Sequence, residues 1–271
     1  MNPAIPTETG LQIVPLCAFR DNYIWLMRRG AYALVVDPGD ATPVLDYLQA
    51  EQLQLCAILV THHHDDHAGG IADILARLPG DAPPVYGPAV EEIAAVDHPL
   101  GDGDRVDLPA LRAQFEVIAV PGHTRGHIAY YGGKLADCGV LFCGDTLFVA
   151  GCGRVFEGTP EQMWHSLQRL AALPPTTQLY CAHEYSQANI RFALAVEADN
   201  AALAQRAVLI DRLRAAGQPT VPSALADELA TNPFLRSGAP TVRRAAELYS
   251  GKTQAREADV FAAIRDWKNK F

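Results

Sequence analysis

The sequence predicts an α/β fold followed by a smaller, all-helical part. Three observations predict it. Apolar, strand-like runs alternate with helical patterns as far as about residue 183. Clusters of histidine and aspartate follow directly on the ends of several of those strands, where open α/β sheets place their ligands. Beyond His183 the strand patterns stop and helical patterns take over. A boundary is therefore expected near residue 183, dividing the chain into 1–183 and 184–271, both of ordinary domain size.

The elements follow in order. Residues 1–10 read as a short disordered lead-in of prolines and polar residues. Segments 11–16, 23–27 and 31–36 are rich in β-branched and aromatic residues and read as strands. Asp37-Pro38-Gly39-Asp40 is a turn, and Thr42-Pro43 reads as a helix start with proline at the first helical position. The apolar run 55–60 is a buried strand, and 71–78 has helical periodicity. Strands are expected again at 114–120, 128–131, 140–143 and 178–181. Thr159 and Gln162 can form a capping box at the head of a helix that Pro174-Pro175 stops. Helices over 188–198, 201–216 and 257–270 complete the chain.

Bulk composition bounds the function. Hydrophobic residues make up 49% of the 271 residues and charged residues 20%, an ordinary globular balance. A net charge of −9 argues against a nucleic-acid partner, which calls for a basic surplus. No apolar run approaches the length of a membrane span, and no secretory signal is visible, so a cytoplasmic protein without a membrane partner is expected. The six cysteines include no C-x-x-C pair and read as reduced thiols.

The densest chemistry lies in Thr61-His62-His63-His64-Asp65-Asp66-His67, between the strand at 55–60 and the helix at 71–78. Imidazole and carboxylate suit zinc, iron and manganese. A chance surface tract would sit in low-complexity sequence rather than between a buried strand and a helix. His123, Asp145 and His183 each follow an apolar strand. Alone, His123 or His183 is better explained as a structural or surface residue, and Asp145 could be a turn aspartate. Together, five histidines and two aspartates at strand ends suffice for two ions sharing one carboxylate. His98, in a polar stretch, and His165, in a helix, read as structural or surface residues.

Thr-His-His-His-Asp-Asp-His at 61–67, Pro-Gly-His-Thr-Arg-Gly-His at 121–127, Cys-Gly-Asp-Thr-Leu-Phe at 143–148 and Ala-His-Glu-Tyr at 182–185 resemble the metallo-β-lactamase superfamily, in the order that superfamily uses. Within it, residues 144–158, Asp21-Asn22-Tyr23, Val36-Asp37-Pro38-Gly39, Asn232-Pro233-Phe234-Leu235-Arg236 and the final Ile-Arg-Asp-Trp-Lys-Asn-Lys-Phe resemble the glyoxalase II (hydroxyacylglutathione hydrolase) family. The resemblance covers all but about the first ten residues.

It implies a four-layer αββα sandwich with a helical C-terminal part that contributes to glutathione binding. It implies that His62, His64 and His123 bind one divalent metal, that Asp66, His67 and His183 bind a second, and that Asp145 bridges them. Zinc is favoured, with iron or manganese as alternatives. His63 and Asp65 are intervening positions, not ligands. His127 is not a ligand either and is expected to support the site. Asp37 is expected to hold a ligand imidazole in one tautomer, although a plain turn aspartate explains it equally well.

The reaction so implied is hydrolysis of S-D-lactoylglutathione to glutathione and D-lactate, in methylglyoxal detoxification. A metal-bridging hydroxide would attack, aided by Asp66 and Asp145. The leaving thiolate, of ordinary pKa ~8.5, needs no general acid. Glutathione carries two carboxylates, and the resemblance assigns its binding to Arg154, Tyr185, Arg265 and Lys268. Arg265 and Lys268 lie three apart on one helical face, a spacing that by itself fits a solvated surface better and that the resemblance turns towards binding. Phe156 stands where some relatives carry tyrosine, so an apolar or backbone role is expected there. The chain is expected to act as a monomer.

Two other readings are weighed. One is a mononuclear-iron glutathione persulfide dioxygenase of the same superfamily, which uses fewer ligands. The other is a non-catalytic metal-binding protein, whose closed four-ligand site would be cysteine-rich.

Overall fold

The computed structural model describes residues 5–6, 10–135 and 138–271. The chain forms two compact units, Met1–Ala119 with Gly126–Gly144, and Val120–Arg125 with Asp145–Phe271.

In the first unit, one sheet follows chain order: Ile5–Pro6, Leu11–Ala18, Asn22–Arg29, Tyr32–Val36, Gln54–Leu59, Val85–Pro88 and His98–Leu100. The first four strands pair antiparallel. Tight turns make that possible, the turn before Tyr32 using Gly30 at φ 56°. The remaining pairings are parallel. A parallel partner needs a crossover, and the helix Ala41–Ala50 supplies the first.

That helix begins earlier than expected. Asp40 accepts the Thr42 N–H at 2.8 Å, so Ala41 is the first helical residue and Pro43 the third. Proline is tolerated there because the first four N–H groups have no partner within the helix. Val44 and Leu48, with Ile71 and Ile74 of the helix Ile71–Arg77, cover Ile24, Leu26, Val35 and Ile58 of the sheet. Each such fully buried side chain contributes about 1.5–3 kcal/mol.

A second run in this unit, Arg105–Leu108, Ala113–Ala119, Ile128–Gly132 and Val140–Gly144, is an antiparallel meander. Strands of alternate direction end at the same edge, so Ala119 and Gly144 both lead out on one side.

The second unit holds the paired strands Leu147–Phe148 and Gly151–Cys152, the strand Gln178–Cys181 and the helices from Pro160–Ala171 to Glu257–Lys270. The expected capping box is present: Gln162 N–H donates to Thr159 Oγ1 at 3.1 Å, and Thr159 N–H to Gln162 Oε1 at 2.8 Å. Phe192, Phe234 and Phe261 anchor its aromatic core, with ring centroids 5.7–5.8 Å apart.

Three readings need correction. Strand pairing does not stop at His183, because Ser223–Ala224 pairs antiparallel with Gln178–Leu179. Two residues are too few to show a period in sequence. Helices Leu225–Thr231 and Pro240–Ser250 escaped notice, the first because it spans only two turns. Most of the expected disordered lead-in lies outside the described residues, but Ile5–Pro6 is a strand paired with Leu11–Ala18. Among the described residues, no helix is long and apolar enough to cross a membrane.

Candidate metal centre and adjoining pocket

The donors of the first unit are placed by two neighbouring parallel strands. Tyr32–Val36 and Gln54–Leu59 run side by side, so Asp37 and Thr61-His62 leave at the same edge. Asp37 N–H donates to Leu59 O at 2.9 Å. Asp37 is buried at a φ of 53°, a conformation non-glycine residues rarely adopt and one that gathers at functional sites. Its carboxylate accepts the Thr61 N–H at 2.7 Å and the Thr61 hydroxyl at 2.8 Å, and lies 3.0 Å from His67 Nδ1. Thr61 Oγ1 in turn lies 3.0 Å from His62 Nδ1. Carboxylates and hydroxyls on the inner ring nitrogen fix an imidazole's orientation and leave Nε2 to face a cation.

The donor atoms themselves stand at the spacing of ligands on one ion. Two ligands about 2.1 Å from a tetrahedral ion lie ~3.4 Å apart. His62 Nε2 and His64 Nδ1 are 3.0 Å apart, and His67 Nε2 and Asp66 Oδ2 are 3.6 Å apart. Asn22 Nδ2 donates to Asp66 Oδ2 at 3.0 Å. His127 is buried and stacks on His62, with centroids 4.6 Å apart. His63 is half-buried with its N–H donated to Glu91, and Asp65 is exposed.

The second unit arranges its donors around one carboxylate. Asp145 Oδ2 lies 3.5 Å from His123 Nε2, and Asp145 Oδ1 lies 3.3 Å from His183 Nε2. Each oxygen therefore serves a different imidazole. His123 is oriented through Nδ1, 2.8 Å from Arg154 O. His183 is buried and stacked face to face on Tyr185, with centroids 4.7 Å apart.

Beside this group opens a pocket of about 520 Å³. His123 and Asp145 line it, and Arg154, Arg265 and Lys268 supply cations. Phe156 lines it as well, 60% exposed and 5.2 Å from the His123 ring, and so does Tyr185. Arg265 is only 5% exposed, so it does not belong to a solvated face. Its Nη1 donates to Cys152 O at 2.9 Å, and its guanidinium lies over Phe234 at 5.1 Å. Lys268 Nζ donates to Ala188 O at 3.0 Å and lies over Phe192. Burial, reinforced by the neighbouring Arg265, Arg191 and Arg154, pushes the Lys268 pKa down to about 8.

All the expected site residues fall into these two groups and the pocket. His98 and His165 are exposed and lie outside them. Sequence reasoning missed Asn22, Thr61, Phe148 and Asn189. Asn22 and Thr61 stood inside quoted motifs, and only contacts reveal what they hold. Imidazoles braced on one nitrogen, interleaved with carboxylates at these spacings, fit divalent metal ions.

Sheet edges that feed histidine and aspartate loops define a class, the metallo-β-lactamase superfamily, and the family model of that name matches residues 18–183. Residues 184–271 match the model described as hydroxyacylglutathione hydrolase C-terminus. The hydroxyacylglutathione hydrolase of Nitrosomonas europaea is 50% identical over 96% of this chain and 97% of its own. That of Alkalilimnicola ehrlichii is 54% identical over 96% and 99%. The chain belongs to the hydroxyacylglutathione hydrolase family and is a hydrolase of that superfamily.

Solved structures agree on the fold. The BLEG-1 B3 metallo-β-lactamase covers 83% of this chain and 99% of its own at a TM-score of 0.59 and 22% identity. ETHE1 from Myxococcus xanthus covers 93% and 98% at 0.58 and 24%.

Proposed function

We propose that this protein hydrolyses S-D-lactoylglutathione and related 2-hydroxyacylglutathione thioesters to glutathione and the 2-hydroxy acid. The observation that carries the reading is the pocket, which His123 and Asp145 line together with the cations Arg154, Arg265 and Lys268. A tripeptide with two carboxylates and a thioester at its middle suits that distribution. The family relatives named hydroxyacylglutathione hydrolase support it.

In this reading His62, His64 and His123 hold one divalent ion and Asp66, His67 and His183 another. Asp145 is shared, as the placement of its two oxygens beside different imidazoles suggests. When bound, such a pair supplies the positive charge that acidifies a water and polarises the thioester carbonyl. The chain does the rest. Asp37 and Thr61 keep His67 and His62 turned inward. Arg265 and Lys268 bind carboxylate, Arg154 and Tyr185 flank the peptide, and Phe156 offers an apolar wall. Fixing the remote peptide positions the carbonyl, which is where binding energy becomes rate. The thiolate departs without a proton donor because its ordinary pKa is only ~8.5.

Zinc is the favoured ion, with iron or manganese as alternatives. The proposal assigns metal binding to 1–183 and part of the glutathione contact to 184–271, through Tyr185, Arg265 and Lys268. It places the enzyme in the cytoplasm, where glutathione keeps its thiol form, acting as a monomer.

The test is a thioester hydrolysis assay on purified protein with elemental analysis of the same sample. Release of glutathione by protein carrying two ions per chain is the expected result. Oxygen uptake with glutathione persulfide, without thioester cleavage, would replace this reading with the dioxygenase one.

A further inference from the structure

The hairpin Leu147–Phe148/Gly151–Cys152 links Asp145 to Arg154, and every residue from Leu147 to Gly153 is buried. Its tip is too short to satisfy its own backbone, and Ala150 sits at a φ of 52°. Side chains from later in the chain take over. Glu228 accepts the Ala150 N–H at 2.8 Å. Asn232 Nδ2 donates to Phe148 O at 3.1 Å and to Gly151 O at 2.9 Å. Asn189 Nδ2 donates to Val149 O at 3.1 Å. Three side chains thus hold four consecutive residues of the tip.

The clamp is itself braced. Glu228 is fully buried, and its second oxygen accepts from Ser223 Oγ at 2.8 Å and from the Arg206 guanidinium. Asn232 Nδ2 also reaches Glu228 Oε2 at 3.0 Å. Burying an ion pair is a poor way to gain stability, since apolar groups of the same volume serve as well or better. A directional acceptor aimed at one N–H does something apolar packing cannot: it sets where that backbone lies. The outgoing strand of the hairpin then offers Cys152 O to Arg265 Nη1, and Arg265 stands in the pocket wall.

We propose that Glu228 and Asn232 are positioning residues for the peptide-binding pocket. They act through the hairpin on Arg265 and Arg154, and neither lines the pocket. This inference rests on the proposed function for the identity of the substrate. At its base the hairpin is pinned separately, where Gly153 N–H donates to Thr146 O at 3.1 Å. Loosening the tip therefore disturbs the outgoing strand more than Asp145.

The experiment compares Glu228→Ala, Glu228→Gln and Asn232→Ala with the unaltered enzyme in kcat, KM for lactoylglutathione, metal content and affinity for S-methylglutathione by calorimetry. Glu228→Ala and Asn232→Ala are expected to raise KM and weaken S-methylglutathione about tenfold or more, because small misplacements of binding groups are costly. With kcat within about threefold and metal retained, that pattern marks lost remote binding. Glu228→Gln, whose amide oxygen still accepts the Ala150 N–H, is expected to restore KM to within about threefold. Should the alanine variants aggregate, Asn232→Ser decides, since its shorter side chain takes the donor away from Phe148 O and Gly151 O without touching the pocket.

Variants that melt earlier but keep KM and S-methylglutathione affinity would overturn the proposal, as would loss of kcat together with metal. Calorimetry reads the pocket even if the unaltered protein cleaves no glutathione thioester. In that case the functional reading fails by itself, and the positioning role is judged on affinity alone.

Discussion

If Lys268 binds a substrate carboxylate as proposed, it sets a pH limit on binding. Its ammonium is half-buried over Phe192, and with its pKa pushed down to about 8 it carries charge below that pH and loses it above. A carboxylate bound there loses its partner as pH rises through 8. KM is therefore expected to climb roughly fifteenfold between pH 8 and 9.5, following the fraction protonated. Lys268→Arg keeps its charge over this range, so its KM is expected to stay flat. Initial rates against substrate concentration from pH 7 to 9.5 check both, and a flat profile for the unaltered enzyme would remove Lys268 from carboxylate binding.

At the scale of elements, two glycines let loops close on donor residues. A Cβ at Gly39 would stand 2.0 Å from Asp66 O, and one at Gly153 would stand 1.9 Å from Asp145 O. Both obstacles are backbone and cannot swing aside. Gly153→Ala is expected to displace the Asp145 backbone. The overpacking costs about 1–3 kcal/mol. In a chain of this size that lowers Tm by ~2–10 °C. Metal content and kcat are expected to fall with it, as thermal melts and elemental analysis would show. An alanine variant that keeps full metal and rate would mean the loop accommodates the methyl elsewhere.

For the whole molecule, the donors come from segments spread between His62 and His183. Ions bound to them stabilise the folded chain over the unfolded one by mass action, about 4 kcal/mol at a thousandfold excess over Kd. Chelation is expected to abolish hydrolysis and to lower Tm by ~10 °C. Readdition of zinc is expected to restore both. A chelated protein that melts unchanged would show that the donors are held by the fold alone.

Much of this was legible before any coordinates. The strands at 11–16, 23–27, 140–143 and 178–181 show as apolar runs because burial on both faces of a sheet demands them, and the one at 114–120 shows as an alternation because one of its faces is exposed. The four donor motifs show because ligand chemistry restricts residue type. The strands Val85–Pro88, His98–Leu100 and Arg105–Leu108 did not, being three or four residues long and carrying too little periodicity. By spacing alone Arg265 fitted a solvated face better, and its contact with Cys152 O and Phe234 is what places it inside.

By itself, then, the sequence determined which groups could carry metal chemistry and where most of the longer strands and helices lie, because composition and period are local properties. Tertiary structure alone decided which nitrogen of His67 and of His123 is braced, which oxygen of Asp145 faces which histidine, and that Glu228 and Asn232 reach the hairpin. Those are relations between residues tens of positions apart, and chain folding, not local pattern, brings such residues within hydrogen-bonding distance.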